Sequence, residues 1–177
     1  MTVRLLPKAV MLCTPSAYSH VAEQPVASYL VSPSDKSNMP KYLFGGFKRC
    51  LYPIQKFDSN PERLLAVICE RDSLRWFKPA KGQFHIFYRQ GADHPEYQPD
   101  FVAETGEMIY MLEPKMKREM DDPVVLAKKE AAMIWCAQAS DHAKAHGAKS
   151  WRYALIPHDA IAENMTVKGL AEKFGAT

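Results

Sequence analysis

The sequence predicts a mixed α/β domain with a central sheet flanked by helices, on three observations. A helix start, "SNPERLLAVICERD", precedes a series of strand-like runs. A long helical segment opens at Pro123, and one more strand-like run, "WRYALIP", follows it. Strands interleaved with helices of this length argue for helices layered on a sheet.

The elements follow in order. Residues 1–40 show neither helical nor strand periodicity and carry "TPSAYSH" and "SPSDKSN". They read as an irregular N-terminal arm that orders only against a partner, with the folded domain spanning 41–177. Ser59 or Asn60 caps the first helix, Pro61 suits its first position and Glu62 lies in its first turn. Its apolar face is Leu64, Leu65, Val67 and Ile68. "SLRWFKP" reads as a strand closed by Pro79. "QFHIFYRQ" reads as another, with Phe84, Ile86 and Tyr88 alternating against His85, Phe87 and Arg89. "GADHPEYQ" reads as a connecting loop. "DFVAET" and "MIYMLEPK", joined at Thr105, Gly106 and Glu107, read as a hairpin. The long helix runs from Pro123 to about Ala145, with Asp121 and Asp122 at its positive end and Gly147 beyond its last turn. Its predicted stripe is Val124, Ala127, Ala131, Ile134 and Trp135. "TVKGLAEKF" is a short terminal helix weakened by Gly169.

Composition excludes some classes. The chain has 177 residues, 47% hydrophobic and 24% charged, enough for one domain with a core. A net charge of +3 does not by itself indicate a nucleic-acid partner, which responds to local patches. Cys13, Cys50, Cys69 and Cys136 form no C-x-x-C pair, against a structural zinc site or a disulfide scaffold and in favour of a reducing, cytoplasmic compartment. The apolar run near the start is broken by Pro7 and Lys8, so neither a signal peptide nor a membrane partner is expected. His142 and His146 have an i, i+4 spacing that can hold zinc, but more simply suit a helix C-terminus. "FGGF" is a turn between aromatic anchors rather than a dinucleotide loop.

The chemistry concentrates in "QPDF … LEPK". A tight hairpin sets the start of one strand opposite the end of its neighbour. Asp100 starts the first and Glu113 ends the second, so their carboxylates are expected to lie close together. Lys115, two residues on, shares the Glu113 face. Repulsion between the carboxylates is relieved by a divalent cation, and Mg²⁺ suits a sparse oxygen site that keeps waters and accepts phosphate. The alternative is a solvated aspartate beside a surface ion pair. Pro114 is in tension with a strand unless pairing ends there.

The order of elements and this acid–acid–lysine pattern resemble the PD-(D/E)XK nucleases. The likeness is closer to the nuclease domain at the C-terminal end of the type III restriction enzyme restriction subunit. The matching stretches are "FGGFKRCLYPIQKFDSNPER", "WFKPAKGQFHIFYR", "EYQPDFVAET", "IYMLEPK", "DPVVLAKKEAAMIWC" and "WRYALIPHDAI", roughly residues 41–165. The resemblance implies a restriction-endonuclease-like fold hydrolysing double-stranded DNA. It implies Asp100 and Glu113 as ligands for Mg²⁺ or Mn²⁺, Lys115 as the catalytic lysine and Glu62 as an auxiliary acid, although Glu62 also reads as a plain first-turn residue. It implies a helicase motor and a methyltransferase subunit as partners. The sequence departs from the pattern in two places. Leu126 and Ala127 stand where a polar residue is often found, leaving Lys128 or Lys129 to serve. No G-x-x-x-x-G-K-[ST] loop is present, so a fragment, a truncated product or a stand-alone domain without its own motor is expected. Lys117, Arg118, Lys128 and Lys129 make a DNA-backbone cradle if they share a side. A non-catalytic DNA-binding or assembly module of a defence complex is the alternative function.

Overall fold

The computed structural model describes residues 25–175. A four-stranded sheet organises the chain, formed in spatial order by Arg75–Phe77, Phe101–Glu104, Ile109–Lys115 and Trp151–Pro157, with helices on both faces. Strand β1 (Val26–Ser28) runs parallel to β2 (Leu43–Gly45), which pairs antiparallel with β3 (Ile54–Gln55). This corrects the expected arm over residues 25–40. A 3-10 segment over Lys36–Lys41 seats Met39 in the core, and Tyr29 stacks on Phe47 at 4.6 Å between ring centroids. The apolar residues of this stretch are spaced irregularly because short strands and tight turns carry them, so no periodicity marks them. Residues 1–24 of the predicted arm, with Cys13, lie outside the described residues.

Helix α1 (Asn60–Asp72) is capped by Ser59, whose hydroxyl oxygen accepts the Glu62 N–H at 3.3 Å. Strand β4 (Arg75–Phe77) follows, with its free edge covered by Arg49–Leu51. Buried Glu70 on α1 fixes that cover: it accepts the Lys48 and Arg49 N–H groups at 2.7 and 3.0 Å and the Trp76 indole N–H at 2.7 Å. Glu70→Ala orphans these donors. We expect it to lower stability by about 3 kcal/mol, read from the urea midpoint.

Strand β5 (Ile86–Phe87) pairs with β6 (Glu96–Tyr97) in a two-stranded sheet. The expected loop 91–98 is therefore corrected: only Gly91 and Ala92 turn, and residues 93–97 return as the second arm. Gln90 exchanges backbone hydrogen bonds with Asp93, and the Pro95 carbonyl accepts the Tyr88 N–H at 3.2 Å. Pro95 signals a loop because it lacks a donor, but this ladder uses its acceptor. Gly91 has φ +63°, as the turn requires. The alternation over 84–89 holds, with Ile86 and Tyr88 buried and Phe87 exposed.

Strands β7 (Phe101–Glu104) and β8 (Ile109–Lys115) form the expected hairpin. Phe101 pairs with Leu112 and Glu104 with Ile109. Helix α2 (Pro123–Ala145) is capped by Asp122 and ends before Gly147 at φ +66°. Its most buried positions are Ala132, Cys136, Ser140 and Ala143. Ile134, predicted on the buried stripe, is 54% exposed because it lies about 200° round the helix from both Ala132 and Cys136. Strand β9 (Trp151–Pro157) runs parallel to β8, and α3 (Val167–Phe174) starts at the Thr166 cap. Helices α1 and α3 share one core with Phe101, Tyr110, Leu112, Ala154 and Ile156. Helix α2 and the β5–β6 hairpin share the other with Met111, Tyr153 and Leu155. Among the described residues no helix is long and apolar enough to cross a membrane.

Candidate active site

Extending the β7–β8 register by one residue places Asp100 opposite Glu113, one step past the Phe101–Leu112 pair. On both strands the side chains alternate between the two cores. Asp100 and Glu113 therefore fall on the α2 side, in the plane of Val102 and Met111. Pro114 fits here without loss. Ile109 gives its N–H to Ser150 on the β9 side. Two-residue alternation then turns the Pro114 nitrogen toward β7, beyond the end of that ladder.

Lys115 joins the two acids. Its Nζ is 2.9 Å from Glu113 Oε1 and 3.6 Å from Asp100 Oδ2. Glu113 is nearly sealed, its side chain 5% exposed, whereas that of Asp100 retains 32%. The remaining Glu113 oxygen, Oε2, accepts the Tyr97 hydroxyl at 2.6 Å. Burial first, and then the Glu113 charge, push the Asp100 carboxyl up to about 7, against the pull of Lys115; Glu62 adds to the rise and Lys78 opposes it. Burial alone lowers the Lys115 ammonium, but Glu113 and Asp100 outweigh it and hold it above its usual value. The cluster is thus short of positive charge: two acidic side chains share one ammonium, and Asp100 gives up its proton at a higher pH than an ordinary aspartate.

A pH dependence follows. The folded protein holds the Asp100 proton more tightly than the unfolded chain, whose aspartate titrates near 3.8. The stabilisation is complete below about pH 4 and is lost as pH rises through about 7. Urea midpoints of metal-free protein at pH 5 and pH 8 should differ more for the wild type than for Asp100→Asn, which cannot titrate.

Glu62 lies on the other side of the sheet, on α1. Its carboxylate accepts from the Ser59 hydroxyl and from the Asp58 N–H, both at 3.3 Å, and takes Lys78 Nζ at 2.9 Å. It therefore ties down the start of its own helix and forms an ion pair rather than joining Asp100 and Glu113, although its charge reaches Asp100. Lys78 lies over the Phe57 and Phe101 rings, 5.3 Å from each centroid. His158, just past β9, is held below its usual value chiefly by burial; the Glu62 and Glu119 charges pull it up and Lys115 pushes it down.

The four residues of the predicted cradle differ in exposure and contacts. Lys117 is 81% exposed and sits 3.4 Å from Asp159, and Arg118 beside it is exposed. Lys128 lies over the Tyr88 ring at 5.4 Å, and Lys129 is half-buried on the same helix. His142 and His146 are exposed and stack on each other at 4.2 Å.

Comparison with family models, curated proteins and solved structures finds no match. The geometry of the chain's own residues therefore carries the functional reading. Tyr97, Lys78 and Tyr153 were not singled out in the sequence. Tyr97 stands three residues before Asp100, on a segment whose Gly and Pro read as loop. Lys78 precedes a strand-closing proline and Tyr153 sits in an apolar strand, so neither carries a motif.

The donor chemistry fits a hard divalent cation. Asp100 and Glu113 offer carboxylate oxygens on one face, and one of them is accessible to solvent. Among the described residues no group of three or more His, Cys, Asp or Glu side chains gathers as a metal site, so water, backbone or substrate oxygens would complete the shell.

Proposed function

We propose that this chain is a Mg²⁺- or Mn²⁺-dependent endonuclease domain of restriction-endonuclease-like fold that hydrolyses phosphodiester bonds of double-stranded DNA. The observation that carries the reading is the Asp100–Glu113 pair, set opposite on adjacent strands and bridged by Lys115. A mixed sheet flanked by helices is compatible with that fold. When bound, the metal would polarise the scissile phosphate and lower the pKa of a water. Asp100 and Glu113 would hold it. Water attacks phosphorus, a new P–O bond forms as the P–O bond to the leaving sugar oxygen breaks, the water's proton passes to solvent and the leaving oxygen takes a proton from solvent. The Lys115 ammonium, held charged by its two acids, faces the negative charge that develops on the phosphoryl oxygens. Lys117 and Arg118, exposed just past β8, would contact the DNA backbone, with Lys128 and Lys129 as further candidates. A helicase motor and a methyltransferase subunit are the partners this reading implies, in the cytoplasm. Plasmid nicking in Mg²⁺ tests it. Wild type should cut and Asp100→Ala should not; equal cutting by both would assign the activity to a contaminant.

One observation favours a second reading, a non-catalytic DNA-binding or assembly module. Lys115 already contacts both carboxylates, as a structural ion pair would. DNA retained on a gel without cleavage across a series of metals, together with no heat of Mg²⁺ or Mn²⁺ binding, would select it.

A further inference from the structure

We propose that Tyr97 is a positioning residue that fixes the Glu113 carboxylate for metal, an inference that rests on the metal reading above. The terminal torsion of a glutamate is soft, so a buried carboxylate needs a donor to set its orientation. Here the two oxygens have different partners. Oε2 accepts the Tyr97 hydroxyl at 2.6 Å, and Oε1 meets Lys115 at 2.9 Å on the side shared with Asp100. The Tyr97 hydroxyl thus commits one oxygen to the interior and leaves the other for the cation site.

Tyr97 is itself immobilised. It is 2% exposed, pairs with Ile86 across the β5–β6 hairpin and packs in the core beneath α2. Tyr153 on β9 lies in the same cluster, its phenol raised by burial and by Glu113. The two-stranded sheet thereby acquires a purpose: it delivers one hydroxyl to one carboxylate. A donor to a ligating carboxylate typically changes metal affinity by about 10- to 100-fold when removed.

The test is Mn²⁺ binding by the full chain, followed by the loss of the free-ion paramagnetic resonance signal. Tyr97→Phe should bind at least about tenfold more weakly than wild type. A hydroxyl that merely fills a hydrogen bond would lower the melting temperature and leave the affinity unchanged, which would overturn the inference alone. A wild type that binds no Mn²⁺ would overturn the metal reading and this inference together. Should Tyr97→Phe fail to fold, 3-fluorotyrosine at position 97 keeps the hydroxyl. Its fluorine resonance should then shift and saturate with Mg²⁺, and an unmoved resonance in protein that binds Mg²⁺ would contradict the assignment.

Discussion

Asp100→Ala should reduce Mg²⁺-dependent cleavage by about a thousandfold while leaving the fold intact. A metal contributes several kcal/mol of charge stabilisation at a phosphoryl centre, and each 1.36 kcal/mol is about a factor of ten in rate. Asp100 is the accessible half of the ligand pair, with a side chain 32% exposed, and it lies one step beyond the last β7–β8 pair. Removing it takes away an oxygen donor without opening the core. Metal-free Asp100→Ala should also be no less stable than wild type at pH 8, since the burial and repulsion that raise the Asp100 carboxyl disappear with it. Supercoiled-plasmid nicking and urea unfolding measure the two outcomes separately. A variant that still cuts, or that loses activity only by unfolding, would contradict the assigned role.

Lys115→Met should split activity from metal binding. The Lys115 ammonium contacts both carboxylates at 2.9 and 3.6 Å, where it satisfies the charge a metal would otherwise satisfy. Without it, nearly buried Glu113 keeps, among the described residues, only the Tyr97 hydroxyl. Metal-free protein should lose about 2 kcal/mol of stability, less than for a fully buried pair because a quarter of Lys115 remains exposed, at 26%. Mn²⁺ should bind about tenfold more tightly, because the competing cation is gone and the carboxylate repulsion is left for the metal to relieve. Cleavage should nonetheless fall by about 10²- to 10³-fold, the usual effect of removing one group that faces developing charge. Tighter metal binding with slower cleavage is not expected of a lysine that serves only as a structural ion pair. Calorimetry with Mn²⁺ beside the nicking assay reads both quantities. Metal affinity that falls with cleavage would instead make Lys115 a support for the ligands.

The parts of the site legible in the sequence are those governed by local rules. Two strand-like runs joined by a short turn mark the hairpin, and its register, closed by the four-residue loop Thr105–Met108, brings Asp100 to Glu113; nothing distant is needed. Lys115 follows from the two-residue period. A cap at Ser59 or Asn60, which falls to Ser59, and the Pro123–Ala145 helix follow from end signals. What local rules do not contain is pairing across distance. Val26–Ser28 becomes a strand only because Leu43–Gly45 lies beside it. Residues 93–97 become a strand only because Ile86 and Tyr88 offer partners, and with them comes Tyr97, which donates its hydroxyl to Glu113. Glu62 shows the converse. Its first-turn position is legible, but whether it turns to Asp100 or back to Ser59 and Lys78 depends on which side of the sheet α1 packs, and the packing sends it to Lys78.

A crystal of the wild-type protein soaked in Mn²⁺ tests the central claim most directly. The anomalous difference map should show one manganese bound jointly by Asp100 and Glu113 oxygens, with Lys115 Nζ displaced from between them and the Tyr97 hydroxyl still on Glu113. A map with no manganese at this pair, and Lys115 still bridging both carboxylates, would contradict the account.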